Sequence, residues 1–261
     1  MEQGQQGRFA GRSVIVTGGS RGIGKGCVEV FASEGGLVSI LDIAQEEGEQ
    51  LAESLTASST GTVVYRKCDV SDPEELKNAI EAVAQQFERI DCIVNNAGVH
   101  PPATPIDEQK LADLESLLRI NFISTYLGAQ YAIPHLRKTK GTIVNMSSMT
   151  AVLGQDQSSA YAATKGAQLS LTKSLAVELG PQGIRVNAIL PSNVDTPLMR
   201  DWAATLPDPE SALKRVSELQ VFGRMASPQE VGKVALFLAT DDSSFVTGQG
   251  IEVEGGASLD Y

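Results

Sequence analysis

A doubly wound α/β fold, a parallel sheet with helices on both faces, is what this chain predicts, and two observations carry the prediction. Short apolar runs alternate with longer stretches of helical spacing from end to end, and parallel strands require such crossover connections. The first strand-to-helix junction is also rich in glycine: Thr17-Gly18-Gly19-Ser20-Arg21-Gly22-Ile23-Gly24-Lys25 follows the run Ser13-Val14-Ile15-Val16. A turn of this kind brings backbone N–H groups and a helix N-terminus to one point, where a pyrophosphate binds.

In chain order, strands are expected at Ser13–Thr17, Leu37–Asp42, Thr62–Asp69, Ile90–Asn95, Thr142–Ser147, Arg185–Leu190 and Gly250–Val253. Between the third and fourth, Leu76, Ile80, Val83 and Phe87 repeat on one face of a predicted helix over Glu74–Phe87. Asp72-Pro73 supplies its N-cap and a proline at the first helical position. A second helix is expected to carry Tyr161 and run on to Leu179. The stretch from Pro191 to about Arg224 reads as one long irregular loop, with Leu198, Met199, Trp202 and Leu206 fit to close over a substrate. No repeat, low-complexity tract or linker interrupts the pattern. One domain over residues 1–261 is therefore expected, with a cofactor half (about 8–140) and a catalytic and substrate half (about 141–261).

Composition narrows the function classes. A chain of 261 residues with 42% hydrophobic content can bury a large core. Its formal net charge of −11 argues against nucleic acid and anionic membrane as partners, since both are polyanions. The stretch Met1–Arg8 lacks the apolar core of a signal peptide, and no run reaches the length of a membrane span. Cys27, Cys68 and Cys92 have no paired spacing and read as small buried hydrophobes in a strand or helix. With only two histidines, His100 and His135, no metal site is expected. A cytoplasmic location follows as the expectation.

The glycine turn assigns separate tasks to its residues. Gly18 permits the tight bend, Gly22 lets the backbone approach phosphates and Gly24 lets the helix lie close on the strand. Ser20, Arg21 and Ile23 complete the turn. Asp42 closes the second strand twenty positions after Gly22, where a carboxylate accepts from adenosine ribose hydroxyls and repels a 2′-phosphate. NAD is favoured over NADP, against the counter-signal of Arg21. Asp69-Val70 and Asn95-Asn96-Ala97-Gly98 follow two further strands, so Asp69 is expected to face the adenine and Asn95 to bond neighbouring backbone.

Catalytic candidates lie further on. Tyr161 and Lys165 are four apart, hence on one helix face, thirteen residues after Ser148. An ammonium beside a phenol lowers the phenol's pKa, and about 4 kcal/mol of differential interaction would bring it near neutral. Ser148 is placed to hold the substrate oxygen while Tyr161 takes its proton.

Together these residues make the chain similar, over essentially its whole length, to the short-chain dehydrogenase/reductase family of the NAD-using type. The family's glycine motif falls on Thr17, Gly18, Gly22 and Gly24, its acidic selector on Asp42 and its NNAG motif on Asn95–Gly98. Its four catalytic positions fall on Asn121, Ser148, Tyr161 and Lys165. The resemblance implies a Rossmann-type fold with a seven-stranded sheet and hydride transfer from an alcohol to NAD. It also implies that Asn121 helps hold a water through which Lys165 relays protons, that Lys165 binds the nicotinamide ribose, and that Val194 and Thr196 contact the carboxamide. Ser192 departs from the family, which has glycine there, and narrows the nicotinamide pocket.

The stretches Asn95–Pro102, Leu153-Gly154-Gln155, Leu206–Pro209 and Gly255–Tyr261 resemble members acting on a 17-beta-hydroxysteroid or on L-fucose and related aldoses. By that resemblance His100, Ser148, Gln155 and Tyr161 face a small-molecule alcohol or sugar. The assembly implied is a homotetramer, with the C-terminal tail near a neighbouring subunit's site. A charge at Asp195, near the substrate mouth, suits a polyol or sugar better than a steroid.

Two other readings stay open at this level. Gly18-Gly19-Ser20-Arg21-Gly22 also matches the GxSxG elbow of α/β-hydrolases, with His100 or His135 as the base. A non-catalytic dinucleotide-binding protein would share the same fold.

Overall fold

The computed structural model describes residues 7–259; Met1–Gln6 and the last two residues of the tail, Asp260 and Tyr261, lie outside the described residues. Strands and helices alternate as predicted: β1 (Ser13–Thr17), α1 (Gly22–Ser33), β2 (Leu37–Asp42), α2 (Gln45–Ser58), β3 (Thr62–Lys67), α3 (Pro73–Phe87) and β4 (Cys92–Asn95). There follow α4 (Leu111–Leu118), α5 (Ser124–Thr139), β5 (Thr142–Met146), α6 (Ser159–Leu179) and β6 (Arg185–Pro191). The chain continues through α7 (Pro197–Ala204), α8 (Pro209–Glu218), α9 (Pro228–Ala239) and β7 (Gly250–Val253). The seven strands form one sheet in the order β3-β2-β1-β4-β5-β6-β7, every pair parallel.

Alternation along the strands sorts the core onto two faces. Val14 and Val16 of β1 pack with α1, α2 and α9 through Val28, Phe31, Leu51, Val231 and Leu236. Ile15, between them, joins α3, α5 and α6 on the other face, through Leu76, Ile80, Leu136 and Leu175. The strand order reverses at β1, which pairs with β2 on one side and β4 on the other. Ligands of open α/β sheets bind beyond the carboxyl ends of the strands at such a switch point. Both the glycine turn after β1 and the NNAG segment after β4 lie there.

Three local features differ from the sequence reading. Residues 191–224 are not one irregular loop: they hold α7 and α8, each opened by a capping side chain and a proline. Thr196 accepts from the Met199 N–H and Asp208 from the Ser211 N–H, the same device by which Asp72 caps α3. Between α4 and α5 the backbone makes a π-turn over Arg119–Ile123, with Asn121 buried in it. β3 ends at Lys67, so Cys68 lies just past it; Cys27 and Cys92 sit in α1 and β4. Burial pushes all three thiols up to about 12, which leaves them unreactive.

Candidate active site

Glycine is obligatory at three points of the first turn. Gly18 and Gly22 have φ of +64° and +51°, the left-handed region that side chains disfavour. A Cβ on Gly24 would sit 2.0 Å from the Gly18 carbonyl oxygen, so the helix approaches the strand only with glycine there. The N-terminus of α1 has no side-chain cap, so no side chain competes with an anion for its first N–H groups. Thr196 stands beside this turn, its Cγ2 3.3 Å from where a Gly22 Cβ would be. Val194 is buried in the core and pairs with Ala226. The N–H of Ser192 is committed to the Val253 carbonyl at 3.2 Å.

Asp42 is fixed by the backbone on either side of it. Its two carboxylate oxygens accept from the N–H groups of Ser20 and Ala44, each at 2.9 Å. Each oxygen keeps a lone pair for a ribose hydroxyl. Arg21 pairs with Glu47 of α2 through one guanidinium nitrogen, so the counter-signal for a 2′-phosphate already has a carboxylate partner. The Ser20 hydroxyl donates to the Ala44 carbonyl, while His100 and His135 bond elsewhere, to Pro101 and Glu81. The hydrolase elbow therefore has no base.

Asn95 corrects one expectation. Its side chain is buried and donates to the Asn145 side chain at 2.9 Å, not to neighbouring backbone. The tie to the glycine turn comes instead from Asn96, which donates to the Thr17 and Gly18 carbonyls at 2.9 and 3.0 Å. The Thr17 hydroxyl in turn accepts from the N–H groups of Asn96 and Ala97. Asn96 was legible only as part of the motif, because nothing in the sequence says which of two adjacent asparagines points inward. Ala97 lies against the turn, its Cα 2.9 Å from a Gly18 Cβ position. Gly98 leaves space beside Lys165, whose Nζ would stand 3.6 Å from a Cβ there. Asp69 is exposed and caps its own turn at the Ser71 N–H; Val70 packs on the core.

Around Tyr161 the structure brings together residues from four segments: Ser148, α6, the loop of His100 and the turn of Asn121. Ser148, at the end of β5, accepts from the Thr150 N–H. On α6, the Lys165 Nζ lies 5.7 Å from the Tyr161 ring centre, within reach of its π-face. His100 tilts against the same ring at 4.2 Å between centres, its Nδ1 held on the Pro101 carbonyl at 2.8 Å. The Asn121 side chain holds Val99 by both N–H and carbonyl, at 2.8 and 2.9 Å, and so anchors the loop that carries His100. Gln155 is exposed on the loop before α6. Asp195 is no free charge at the mouth: Arg200 binds it in two places, at 2.9 and 2.7 Å.

The electrostatics run against the simple expectation for the phenol. Burial pushes Tyr161 up to about 12, with a hydrogen bond from Ser148 pulling the other way. Burial likewise pushes Lys165 down to about 7. The ammonium also points partly away, donating to the Met146 carbonyl at 2.7 Å and to Gln168 Oε1 at 3.1 Å. Gln168 escaped the sequence reading; its position three residues after Lys165, on the same helix face, was the available signal.

A Rossmann-type sheet, an uncapped helix N-terminus and a serine, tyrosine and lysine beside it define a dinucleotide-binding oxidoreductase that acts on alcohol groups. Residues 18–258 match the family model described as "Enoyl-(Acyl carrier protein) reductase", and the chain belongs to the short-chain dehydrogenase/reductase family. Among curated relatives, the L-fucose dehydrogenase of Oryctolagus cuniculus is 42% identical over 252 residues, covering 97% of this chain and 87% of that protein. The meso-2,3-butanediol dehydrogenase of Serratia marcescens is 35% identical over 251 residues, 96% of each chain. Among solved structures, levodione reductase superposes with a TM-score of 0.93 at 30% identity, covering 97% of this chain and all of the other. Among the described residues, no helix is long and apolar enough to cross a membrane.

Proposed function

We propose that this chain is an NAD-dependent dehydrogenase that oxidises a ring hydroxyl of an aldose, with L-fucose as the leading candidate and Tyr161 as general base. The observation that carries the reading is the setting of Tyr161, with Lys165 below its ring, His100 against it and Ser148 near enough to its hydroxyl to favour the phenolate. The relatives named L-fucose dehydrogenase supply the sugar. A 17-beta-hydroxysteroid is the second substrate to try, because the pairing of Asp195 with Arg200 removes the charge that would exclude it.

The residues divide the work. Gly18, Gly22, Gly24 and the start of α1 hold the pyrophosphate, and Asp42 takes the ribose hydroxyls. NAD is preferred because a 2′-phosphate would meet Asp42 and Glu47 together, while Arg21 is occupied. Bound, the dinucleotide supplies the hydride acceptor. Ser148 donates to the substrate oxygen and fixes it beside Tyr161. Tyr161 takes the hydroxyl proton as the carbon–hydrogen bond breaks, and Lys165 stabilises the phenolate. His100 and Gln155 orient the remaining hydroxyls. Exposed Leu198 and Trp202 on α7 close over them.

A homotetramer fits the outward Val177 and Phe245, which are 80% and 102% exposed and gain by being covered. A reduced cytoplasm fits the three free, buried cysteines. The test is reduction of NAD with L-fucose, other aldoses, vicinal diols and hydroxysteroids, followed as dinucleotide absorbance. L-fucose is expected to give the highest kcat/KM, and Tyr161→Phe to lose about 10²–10⁴-fold in kcat while still binding cofactor. A Tyr161→Phe enzyme keeping most of its rate would overturn the mechanism. Activity confined to acyclic apolar alcohols would overturn the substrate class.

A further inference from the structure

Lys165 has three N–H donors. Two are spent inside the protein, on the Met146 carbonyl and on Gln168 Oε1. Gln168 is fully buried, and its amide is used at both ends. Its Nε2 donates to the Asn121 carbonyl at 2.8 Å and to the Thr125 hydroxyl at 2.7 Å. That hydroxyl also donates to the Asn121 carbonyl, at 3.1 Å. Both lone pairs of the carbonyl at the heart of the π-turn are therefore taken. The backbone of Gln168 is tied in as well: its carbonyl accepts from Thr172, which accepts from Asn145, which accepts from Asn95. A polar chain thus runs from β4 through β5 to α6, with Gln168 as its terminus beneath the site.

The family resemblance implies a water, held with the help of Asn121, that relays protons from the lysine. Here a side-chain amide joins the ammonium to the Asn121 carbonyl. An apolar side chain would fill the same space but leave the buried ammonium one acceptor short, which is costly.

We propose that Gln168 is a positioning residue for the Tyr161 reaction: it fixes the direction of the Lys165 ammonium. The proposal rests on the dehydrogenase reading. One N–H of Lys165 remains for the site. Without the Gln168 acceptor, burial acts on Lys165 with less opposition, less ammonium is present near neutral pH, and the phenol ionises later.

The test is the pH profile of kcat for the unmodified enzyme, Gln168→Met and Gln168→Glu, with thermal melts of each. Gln168→Met keeps the shape and loses both polar ends. Its acid limb is expected to move up by about one pH unit, with KM for the dinucleotide within about twofold. Gln168→Glu keeps an acceptor for Lys165, so its acid limb is expected to stay or to move down. Gln168→Glu reads the same limb if Gln168→Met does not fold. An unmoved limb in Gln168→Met, or an equal rate loss at every pH in both variants, would overturn the proposal and leave the dehydrogenase standing. No alcohol oxidation by the unmodified protein would instead remove the dehydrogenase reading, and this proposal with it.

Discussion

Asp42 shows how a single carboxylate is positioned for the cofactor selection proposed above. Two backbone N–H bonds, from Ser20 and Ala44, fix both of its oxygens in the crevice. In the proposed reading a neighbour contributes as well: Glu47 competes with a 2′-phosphate for Arg21. Asp42→Ala is expected to lower the NAD-to-NADP ratio of kcat/KM at least about tenfold, since a like-charge contact near 4 Å costs about 4 kcal/mol in a partly screened site. Glu47→Gln should act in the same direction and less strongly, by releasing Arg21. Steady-state kinetics with both dinucleotides decides. Unchanged ratios in both variants would take the selection away from this strand end.

Between elements, α1 and α9 approach one another closely. A Cβ on Gly26 would stand 2.3 Å from the backbone carbon of Pro228, and one on Gly232 would stand 2.6 Å from the Gly26 carbonyl oxygen. Two glycines thus let the helices cross almost in backbone contact. Gly26→Ala is expected to cost about 1–3 kcal/mol or more, because the neighbour is backbone and cannot rotate away. Urea melts would measure it, with Gly154→Ala, which meets nothing within 4 Å, as the control. The far end of α9 is closed by Arg185, which donates to the carbonyls of Leu238 and Thr240 and so joins the helix to β6.

For the whole molecule, burying Lys165 makes stability depend on pH. Its folded pKa of about 7 lies below the ordinary 10.5, so between those values the unfolded chain binds more protons than the folded one. Stability rises with pH in that window and is lost as pH falls toward 7, by up to about 1.4 kcal/mol per pH unit. Above pH 9 the three cysteines act oppositely, because their thiols are raised from 9.0 to about 12 and the folded chain keeps its protons longer. The net rise is therefore expected between about pH 7 and 9. Thermal melts without cofactor should show it, and Lys165→Met should flatten it. A slope that survives the substitution would assign the effect to other groups.

Period and punctuation in the chain determine the seven strands, their alternation with helices and the glycine turn, because each depends on neighbours within a few residues. The same local rules reach α7 and α8 once Thr196-Pro197 and Asp208-Pro209 are read as Asp72-Pro73 is. Spacing likewise puts Tyr161, Lys165 and Gln168 on one face of α6. Only the tertiary structure decides the rest: that Asn96 and not Asn95 reaches the glycine turn, that Arg21 and Asp195 are already paired, and that Gln168 meets the Asn121 carbonyl. These depend on contacts between residues 5 to 79 positions apart, whose partners are chosen when the sheet and its helices pack, and no local pattern encodes that choice.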